Sequence, residues 1–400
     1  MKPFFCFILS IVLLYTPASA QAPVSPWNMQ ELYQTPLMYP SDSCKMRGFE
    51  SFFYEGAIYK TKPTKVFAYY KTPEGKVPPG GWPAVICVHG GGGTAFPEWV
   101  QAWVDHGYAA IAMDVEGHLP KGEFPNREWH ADGGPPRITT FGDIELADRE
   151  QWFYHAVADV VRANSLLRSF SEINKNSIGI HGISWGAVIT SAVMGLDNRL
   201  SFAIPVYGCG FLYESTVSNF ERYIKTMTAT QLESYKTKWD PSIYIPYAKM
   251  PVLWYTGSND GAFPLNIWQK SVQAGRSSRF MCIPVTSEHG HIWNQPEIFA
   301  FADMVVKKGK ALMTINSPLL QKNTASVTVS NVGVIKKAVV CYTEDTGYWQ
   351  NRKWLQIPAT VKKNRVSMLI PKNTTAFYFN LTDERKLSLS SSYLNLEQAQ

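Results

Sequence analysis

The sequence predicts an α/β fold in which a mostly parallel central sheet is covered by helices on both faces and is followed by a small all-β module. Between about residues 82 and 310, short apolar segments alternate with longer helical patterns. Strands that alternate with helices form a parallel sheet, because each crossover lays a helix on one face. From about residue 311, short strand patterns follow one another with only turns between them. This change predicts a β-sandwich-like module after the α/β region.

The period of the apolar residues predicts the elements of both regions. Strands of the α/β region are expected at 84–88, 108–113, 178–183, 200–207, 251–255 and 280–285, preceded by strand-like runs at 49–54 and 66–71. Helices are expected at 97–106, from Asp143 to about Phe170, from Ala187 onward, at 265–274 and at 296–308. In the module, strands are expected at 325–330, 337–342, 365–370 and 376–380.

The first twenty residues have the pattern of a secretory signal peptide. Lys2 supplies the charged start, an apolar run follows, and Ala18-Ser19-Ala20 is a small-residue cleavage site. The run is too short for a membrane span, so we expect an exported protein, periplasmic or extracellular, that begins at Gln21. The predicted organisation is then a signal peptide (1–20), a catalytic domain (21–310) and a C-terminal module (311–400). Within the catalytic domain, the polar residues 209–249 predict a lid-like insertion.

Removal of the signal peptide takes Cys6 with it and leaves five cysteines. Cys87, Cys209 and Cys282 lie in or beside predicted core strands, where a cysteine packs as a small hydrophobic residue. Export permits disulfides, but the spacing assigns none, and the sequence contains no C-x-x-C pair of the kind that binds metal.

The pentapeptide Gly182-Ile183-Ser184-Trp185-Gly186 lies between a predicted strand and a predicted helix. In this context G-x-S-x-G places a serine on a strained turn, with no room for side chains two residues to either side. Ser184 is therefore predicted to be a nucleophile, beside the free N–H groups of the following helix. The alternative is an ordinary turn serine.

Four glycines, residues 90–93, follow His89 at the end of the first core strand. Such a loop can turn N–H groups toward a developing negative charge, as an oxyanion hole requires. Gly91 or Gly92 would supply one donor and Trp185 the other. A flexible loop is the alternative. A phosphate-binding loop would need the lysine of a G-x-x-x-x-G-K-[ST] motif, and no such lysine follows these glycines. His89 precedes the nucleophile and is interpreted as a structural hydrogen-bonding residue.

A serine nucleophile of this kind is followed in the chain by an acid and then a histidine. Asp260 lies just past a predicted parallel strand, at the sheet edge where ligand sites gather; Asn259 is a weaker alternative. Two histidines, His289 and His291, follow the last core strand. We favour His289, because its distance past the strand suits a short loop that reaches the serine. The H-x-H pair also suggests a metal, but no third ligand is evident, so no metal is expected.

These motifs, in order and spacing, resemble the α/β-hydrolase fold. Three further segments, Asp114-x-x-Gly117-His118, residues 205–210 and His291-x-x-x-x-Pro296-Glu297-Ile298, resemble secreted carbohydrate esterases of gut-type Bacteroidetes. That group includes proteins like acetylxylan esterases and pectin methylesterases, often with a C-terminal β module. The resemblance implies an ester of a polysaccharide or oligosaccharide as substrate. A triad of this kind needs no cofactor, no nucleic-acid partner is expected, and no stretch after residue 20 is long enough to predict a membrane span.

Charge and aromatic residues suggest where a substrate could bind. The long loop after 108–113 carries Arg127, Trp129 and Arg137, and an arginine there could hold the carboxylate of an acidic sugar. The C-terminal module has 11 Lys and Arg against 5 Asp and Glu, whereas the rest of the mature chain is nearly neutral. Its aromatic residues could stack on sugar rings and its cations could attract a polyanion. Surface charges and structural aromatic residues are the alternative; the aromatic residues are Tyr342, Tyr348, Trp349 and Trp354.

The residues predict an exported serine esterase, and the resemblance implies that it removes methyl or acetyl groups from a plant cell-wall polysaccharide such as pectin or xylan. Two other hypotheses remain. A serine peptidase similar to prolyl oligopeptidases shares the order of the triad, but residues 21–82 are too short for its propeller. A carbohydrate-binding protein with an inert hydrolase domain would not need the intact set of serine, acid and histidine.

Overall fold

The structure is a computed structural model that describes residues 25–42 and 44–397. The predicted signal peptide lies outside the described residues. Among the residues that are described, no helix is long and apolar enough to cross a membrane.

The described residues form a nine-stranded sheet with the order β1-β2-β3-β5-β4-β6-β7-β8-β9. Its strands are β1 (Met38–Pro40), β2 (Glu50–Tyr59), β3 (Lys62–Lys71), β4 (Trp82–Val88), β5 (Ala109–Met113), β6 (Ile173–Ile183), β7 (Phe202–Val206), β8 (Val252–Tyr255) and β9 (Arg279–Cys282). The strands from β4 to β9 pair in parallel, whereas β1 to β3 add an antiparallel edge. The predicted mostly parallel sheet is confirmed.

Helices cover both faces of this sheet. The helices of the described residues are α1 (Met29–Leu32), α2 (Pro97–Asp105), α3 (Trp152–Leu167), α4 (Trp185–Leu196), α5 (Ser218–Thr226), α6 (Ala229–Ser234), α7 (Leu265–Ala274) and α8 (Pro296–Val306). Alternate residues of β4 point to opposite faces, so Ile86 belongs to an apolar cluster with residues of α3, α4 and α7, and Cys87 to one with residues of α2 and α8. The two apolar clusters are thus the two sides of one sheet.

One predicted helix is shorter than expected. The helix predicted from Asp143 begins only at Trp152, and turns and a single 3₁₀ turn occupy the residues before it. The carboxylate of Asp143 accepts the N–H of Trp152 at 2.6 Å, so it ties the loop to the first turn of the helix instead of lying within it. The residues just before Trp152 also have a helix-compatible composition, and no proline or glycine among them marks where the helix begins.

The C-terminal module consists of two antiparallel sheets, and the four predicted strands are confirmed. Its strands are β10 (Thr314–Ile315), β11 (Leu319–Gln321), β12 (Thr324–Ser330), β13 (Ile335–Thr343), β14 (Leu355–Pro358), β15 (Thr360–Lys362), β16 (Arg365–Leu369), β17 (Ala376–Asp383), β18 (Ser388–Ser390) and β19 (Leu394–Asn395). Val327 and Val366 of one sheet share an apolar cluster with Val340 and Phe379 of the other, as in a sandwich.

The second of these sheets packs against the edge strand β9 of the central sheet. Ser390 Oγ accepts the N–H of Ile283 at 2.7 Å. The hydroxyl of Tyr378 and the amide of Asn380 both donate to the carbonyl of Ile283, at 3.1 and 2.9 Å. The module therefore covers an open sheet edge and holds the chain that leads from β9 toward His289.

Candidate active site

Ser184 lies at the sharp turn between β6 and α4. Its backbone has φ 57° and ψ −121°, a conformation that costs a non-glycine residue energy. A side chain at Gly182 would overlap Gly186, and one at Gly186 would overlap the carbonyl of Val88. The two glycines are thus required for the close approach of the turn to β4, as the G-x-S-x-G pattern predicted.

His289 and Asp260 extend from Ser184 in a row of hydrogen bonds. His289 Nε2 lies 3.0 Å from Ser184 Oγ, and His289 Nδ1 lies 2.9 Å from Asp260 Oδ2. Asp260 is buried, and its Oδ1 accepts the N–H groups of Ala262 and Phe263, each at 2.8 Å. The structure brings together the three residues that the sequence proposed as a triad, at the carboxyl ends of β6, β8 and β9.

Two neighbours of the row hold it in place. Asn259 does not point toward the histidine; its Oδ1 accepts the N–H of Ser287 and so joins the loop of Asp260 to the loop of His289. The Tyr207 ring packs against His289, and its hydroxyl is hydrogen-bonded to Ser287 at 2.7 Å. The sequence predicts no role for Tyr207, although it lies in the segment 205–210 that resembles carbohydrate esterases. Its φ of +58° at the end of β7 is visible only in the structure.

His291 occupies a different position from His289. Its Nε2 accepts the N–H of Gly90 at 3.0 Å, and its ring packs beside Phe96. Burial lowers the pKa of His291 to about 4, with smaller contributions from nearby histidines and Arg127. A neutral His291 is therefore bonded to the glycine loop, and of the two histidines only His289 is hydrogen-bonded to Ser184.

The glycine loop lies directly over the serine. Gly90 is so close to Ser184 that a side chain there would meet the serine Cβ at 2.7 Å. Gly91 faces the Trp185 ring, whereas Gly92, with φ +71°, faces Phe124. The N–H of Trp185 opens α4 and has no acceptor within the helix. Of the two glycines proposed for the oxyanion hole, this placement favours Gly91 as the partner of Trp185.

His89 is a structural hydrogen-bonding residue, as predicted. Its Nε2 accepts the N–H of Val115 at 3.0 Å, so its Nδ1 carries the proton and donates to the carbonyl of Gly90 at 2.7 Å. The carboxylate of Asp114 lies 3.7 Å from His89 Nε2, and burial raises the pKa of Asp114. The imidazole thus connects the glycine loop to the loop after β5.

The three residues predicted to bind substrate differ in their surroundings. Arg137 lies next to Gly91 and over the Trp185 ring, but its guanidinium is paired with Glu116 at 2.6 Å. Arg127 donates to the carbonyl of Gly92 at 3.4 Å. Trp129 is 41% exposed and packs edge-to-face on His118. Arg127 and Arg137 thus border the glycine loop, and the charge of Arg137 is already compensated.

Aromatic side chains form one wall beside Ser184. Phe220 of α5, in the segment predicted to be a lid, has its ring centre 6.0 Å from that of Trp185 and 5.6 Å from that of Phe263. Phe263 stacks on His289. The helical segment between β7 and β8 therefore contacts the residues that adjoin the row of hydrogen bonds.

The aromatic residues of the C-terminal module are mostly structural. Tyr342 and Trp354 are buried, and Trp349 packs on Tyr393. Only Tyr348, of the four named in the sequence, is largely exposed, at 54%. The interpretation of these residues as a platform for sugar rings is wrong for the two buried ones, since apolar packing in the sandwich and against the core already covers their faces.

Three cysteines in or beside the central sheet are free thiols, and the described residues form no metal-binding cluster. Cys87, Cys209 and Cys282 are buried and form no disulfide, which confirms that they pack as small hydrophobic residues. In the described part of the chain, no group of three His, Cys, Asp or Glu residues is arranged to hold a metal ion.

Known proteins resemble this chain in sequence and in fold. Residues 44–239 match the family model described as acetyl xylan esterase (AXE1). The chain is a carboxylic ester hydrolase with the α/β-hydrolase fold. Two solved structures have the same fold as this chain. Acetyl xylan esterase from Paenibacillus sp. R4 has a TM-score of 0.56 at 20% identity, over 70% of this chain and 92% of that one. Acetyl xylan esterase 1 from Thermoanaerobacterium sp. JW/SL YS485 has a TM-score of 0.52 at 14% identity, over 72% and 93%.

Proposed function

We propose that this esterase removes acetyl groups from xylan or a related plant cell-wall polysaccharide, with Ser184, His289 and Asp260 as its catalytic triad. The observation that carries the proposal is the unbroken row of hydrogen bonds from Ser184 through His289 to Asp260, at a strained turn under a glycine loop. The match of residues 44–239 to the acetyl xylan esterase family supports the choice of ester and polymer.

In the first half of the reaction, Ser184 Oγ attacks the acetyl carbonyl carbon and passes its proton to His289 Nε2. Asp260 accepts the Nδ1–H of His289 and so stabilises the imidazolium. The carbonyl oxygen becomes an oxyanion that accepts hydrogen bonds from the N–H groups of Gly91 and Trp185. The bond to the sugar oxygen then breaks, His289 returns the proton to that oxygen, and the deacetylated sugar leaves.

In the second half, water attacks the acetyl-serine. His289 takes a proton from the water, a second oxyanion forms at the same donors, and the bond to Ser184 breaks as His289 returns the proton to Oγ. Acetate leaves and the enzyme is restored. Each step uses only side chains, backbone N–H groups and water, so the proposal involves no cofactor.

The alternative ester is the methyl ester of galacturonate in pectin. The sugar acid would then be the acyl part, and methanol would leave first. Arg137 could anchor an acidic sugar, but its guanidinium lies 2.6 Å from the Glu116 carboxylate, and binding a second carboxylate would compete with that pair. This contact favours a neutral sugar beside the serine.

We also propose that the esterase works outside the cytoplasm. The support is the pattern of residues 1–20, with a charged start, an apolar run and the Ala18-Ser19-Ala20 cleavage site. Mass spectrometry of the protein recovered from a bacterial host with intact export should find a mature chain that begins at Gln21. Full-length protein retained in the cytoplasm would contradict this part of the proposal.

One substrate screen tests the function. The purified protein is incubated with acetylated xylan and with pectin that is both acetylated and methyl-esterified, and released acetate and methanol are measured. We expect acetate from xylan and little methanol from pectin. A fluorophosphonate probe should label the wild type at Ser184 and leave Ser184→Ala unlabelled.

The outcomes separate the alternatives. Methanol as the main product would replace the proposal with a pectin methylesterase. Cleavage of peptide anilides without ester hydrolysis would favour a peptidase, and absence of both probe labelling and hydrolysis would favour an inert binding protein. Near-normal activity of Ser184→Ala would overturn the triad itself, because loss of a triad member typically costs at least about 10⁴-fold in turnover.

A further inference from the structure

Two histidines from distant parts of the chain hold the same glycine. His89 Nδ1 donates to the carbonyl of Gly90 at 2.7 Å, and His291 Nε2 accepts the N–H of Gly90 at 3.0 Å. His291 comes from the loop after β9, 201 residues away. We call this pair of bonds, His89 and His291 on Gly90, the histidine clamp.

The carbonyl side of the clamp determines where the N–H of Gly91 points, while His291 holds the N–H of Gly90 itself. In a trans peptide the carbonyl of one residue and the N–H of the following residue lie in one plane and point in opposite directions. The carbonyl of Gly90 accepts two hydrogen bonds, from His89 and from the N–H of Gly93 at 3.0 Å. Because that carbonyl is fixed, the N–H of Gly91 is fixed in the opposite direction.

Close packing makes the loop sensitive to both imidazoles. A side chain at Gly93 would meet His89 Nδ1 at 2.7 Å and His291 Nε2 at 2.8 Å. A side chain at Gly90 would meet Ser184. The loop therefore fills the gap between the two histidines and the nucleophile, and loss of one histidine leaves it room to shift.

We propose that His291 is a positioning residue that, together with His89, orients the Gly91 N–H as an oxyanion donor. The proposal rests on the proposed function, in which Gly91 and Trp185 bind the oxyanion. His291 does not touch the reacting atoms; it acts through Gly90. The proposal gives each of the two histidines after β9 its own role: His289 acts on the serine, and His291 holds the glycine loop.

The role requires a neutral His291, since a protonated Nε2 could not accept the N–H of Gly90. The charged and titratable groups that influence it are His89, His289 and Arg127, which disfavour its protonation, and Glu116, which favours it. Burial adds the largest effect and lowers the pKa of His291 to about 4. The acceptor is therefore in place at any pH well above 4.

The test compares two substitutions at one position. In His291→Gln the amide oxygen can still accept a hydrogen bond, whereas His291→Leu has similar bulk and no acceptor. Loss of one oxyanion donor costs about 10²- to 10³-fold in turnover. In His291→Leu the Gly91 N–H would be displaced but still present, so the loss should be smaller. We expect kcat on 4-nitrophenyl acetate to fall about 10- to 100-fold, with KM little changed. His291→Gln should recover at least half of that loss on a logarithmic scale.

A trifluoromethyl ketone gives a second readout, because its adduct with Ser184 places an oxyanion in the same hole. Its inhibition constant should rise in His291→Leu by about the factor lost in kcat/KM. If Leu and Gln behave alike, or if only KM changes, the clamp does not position the donor. Should Ser184→Ala retain activity, the proposed function fails instead, whatever the variants at 291 do.

A measurement on the wild type covers the case in which His291→Leu does not fold. At pH 7, ¹⁵N NMR of the histidine side chains should show His291 with the proton on Nδ1 and none on Nε2. The amide of Gly90 should be protected from hydrogen exchange. A proton on Nε2 of His291 would overturn the clamp directly.

Discussion

Asp260→Asn is the substitution for which the structure gives the sharpest expectation. Asp260 uses Oδ1 to accept two backbone N–H groups and Oδ2 to accept the Nδ1–H of His289. Asparagine has nearly the same shape, and its oxygen can take the place of Oδ1. Its NH₂ group then replaces Oδ2 and faces His289 as a donor.

The consequence is a change of tautomer. His289 Nδ1 must become an acceptor, so the proton moves to Nε2 and points at Ser184 Oγ. An imidazole with a proton on Nε2 cannot take the proton of the serine. The corresponding change in serine hydrolases lowers turnover by about 10⁴-fold, or about 5.4 kcal/mol in the barrier.

Steady-state hydrolysis of 4-nitrophenyl acetate from pH 6 to pH 9 measures the loss. The matched control is Asn259→Ala, one residue earlier, which removes only the bond from Asn259 Oδ1 to the N–H of Ser287. We expect the control to lose less than about tenfold, since no proton-transfer group changes. An Asp260→Asn enzyme within tenfold of the wild type, or a control as impaired as Asp260→Asn, would refute the assignment of the acid.

Three further outcomes are expected. Ser390→Ala leaves the N–H of Ile283 without its acceptor, so the free energy of unfolding in urea should fall by about 1–3 kcal/mol; a smaller loss would mean that the module does not stabilise the end of β9. Reversal of two exposed charges of the C-terminal module, in Lys362→Glu/Lys363→Glu, should leave hydrolysis of a neutral ester unchanged. The same variant should reduce the salt dependence of KM for an acidic acetylated polymer, because exposed charges are screened; an unchanged dependence would exclude these lysines as a contact. Finally, the pKa of His291 is lowered in the folded protein, so the unfolded chain takes up the proton first as the pH falls below about 6.5, and stability is lost. Denaturant titrations at pH 7 and pH 5 should therefore show the wild type losing about 2 kcal/mol relative to His291→Gln, and equal losses would contradict the lowered pKa.

Local features of the chain could be predicted because their physical causes are local. The pentapeptide around Ser184 specifies its own turn, since Gly182 and Gly186 are the positions at which a side chain would collide. The alternation of apolar runs and helical patterns predicts the parallel sheet, because the period of the buried residues follows from backbone geometry. The order of serine, acid and histidine then indicates three strand ends that meet at one edge of the sheet.

Other features depend on residues that are far apart in the sequence. His289 and His291 lie two residues apart in one loop, and only the path of that loop brings His289 Nε2 to Ser184 and His291 Nε2 to Gly90. The pairing of Arg137 with Glu116, 21 residues away, removes a cation that sequence alone offers to a substrate. The burial of Trp354 in the module likewise depends on which sheet lies over it.

The sequence by itself thus determined the fold class and singled out Ser184 and Asp260 as candidates for the nucleophile and the acid, because glycine sterics, hydrophobic period and strand-end position are written into short segments. Only the tertiary structure decided which histidine is hydrogen-bonded to Ser184, which glycine lies beside the Trp185 ring, and that the C-terminal module holds the chain after β9. Each of these is a contact across a long sequence separation, 105 residues between Ser184 and His289 and 107 between Ile283 and Ser390. Such contacts are selected by the packing of the whole chain, and no local pattern encodes them.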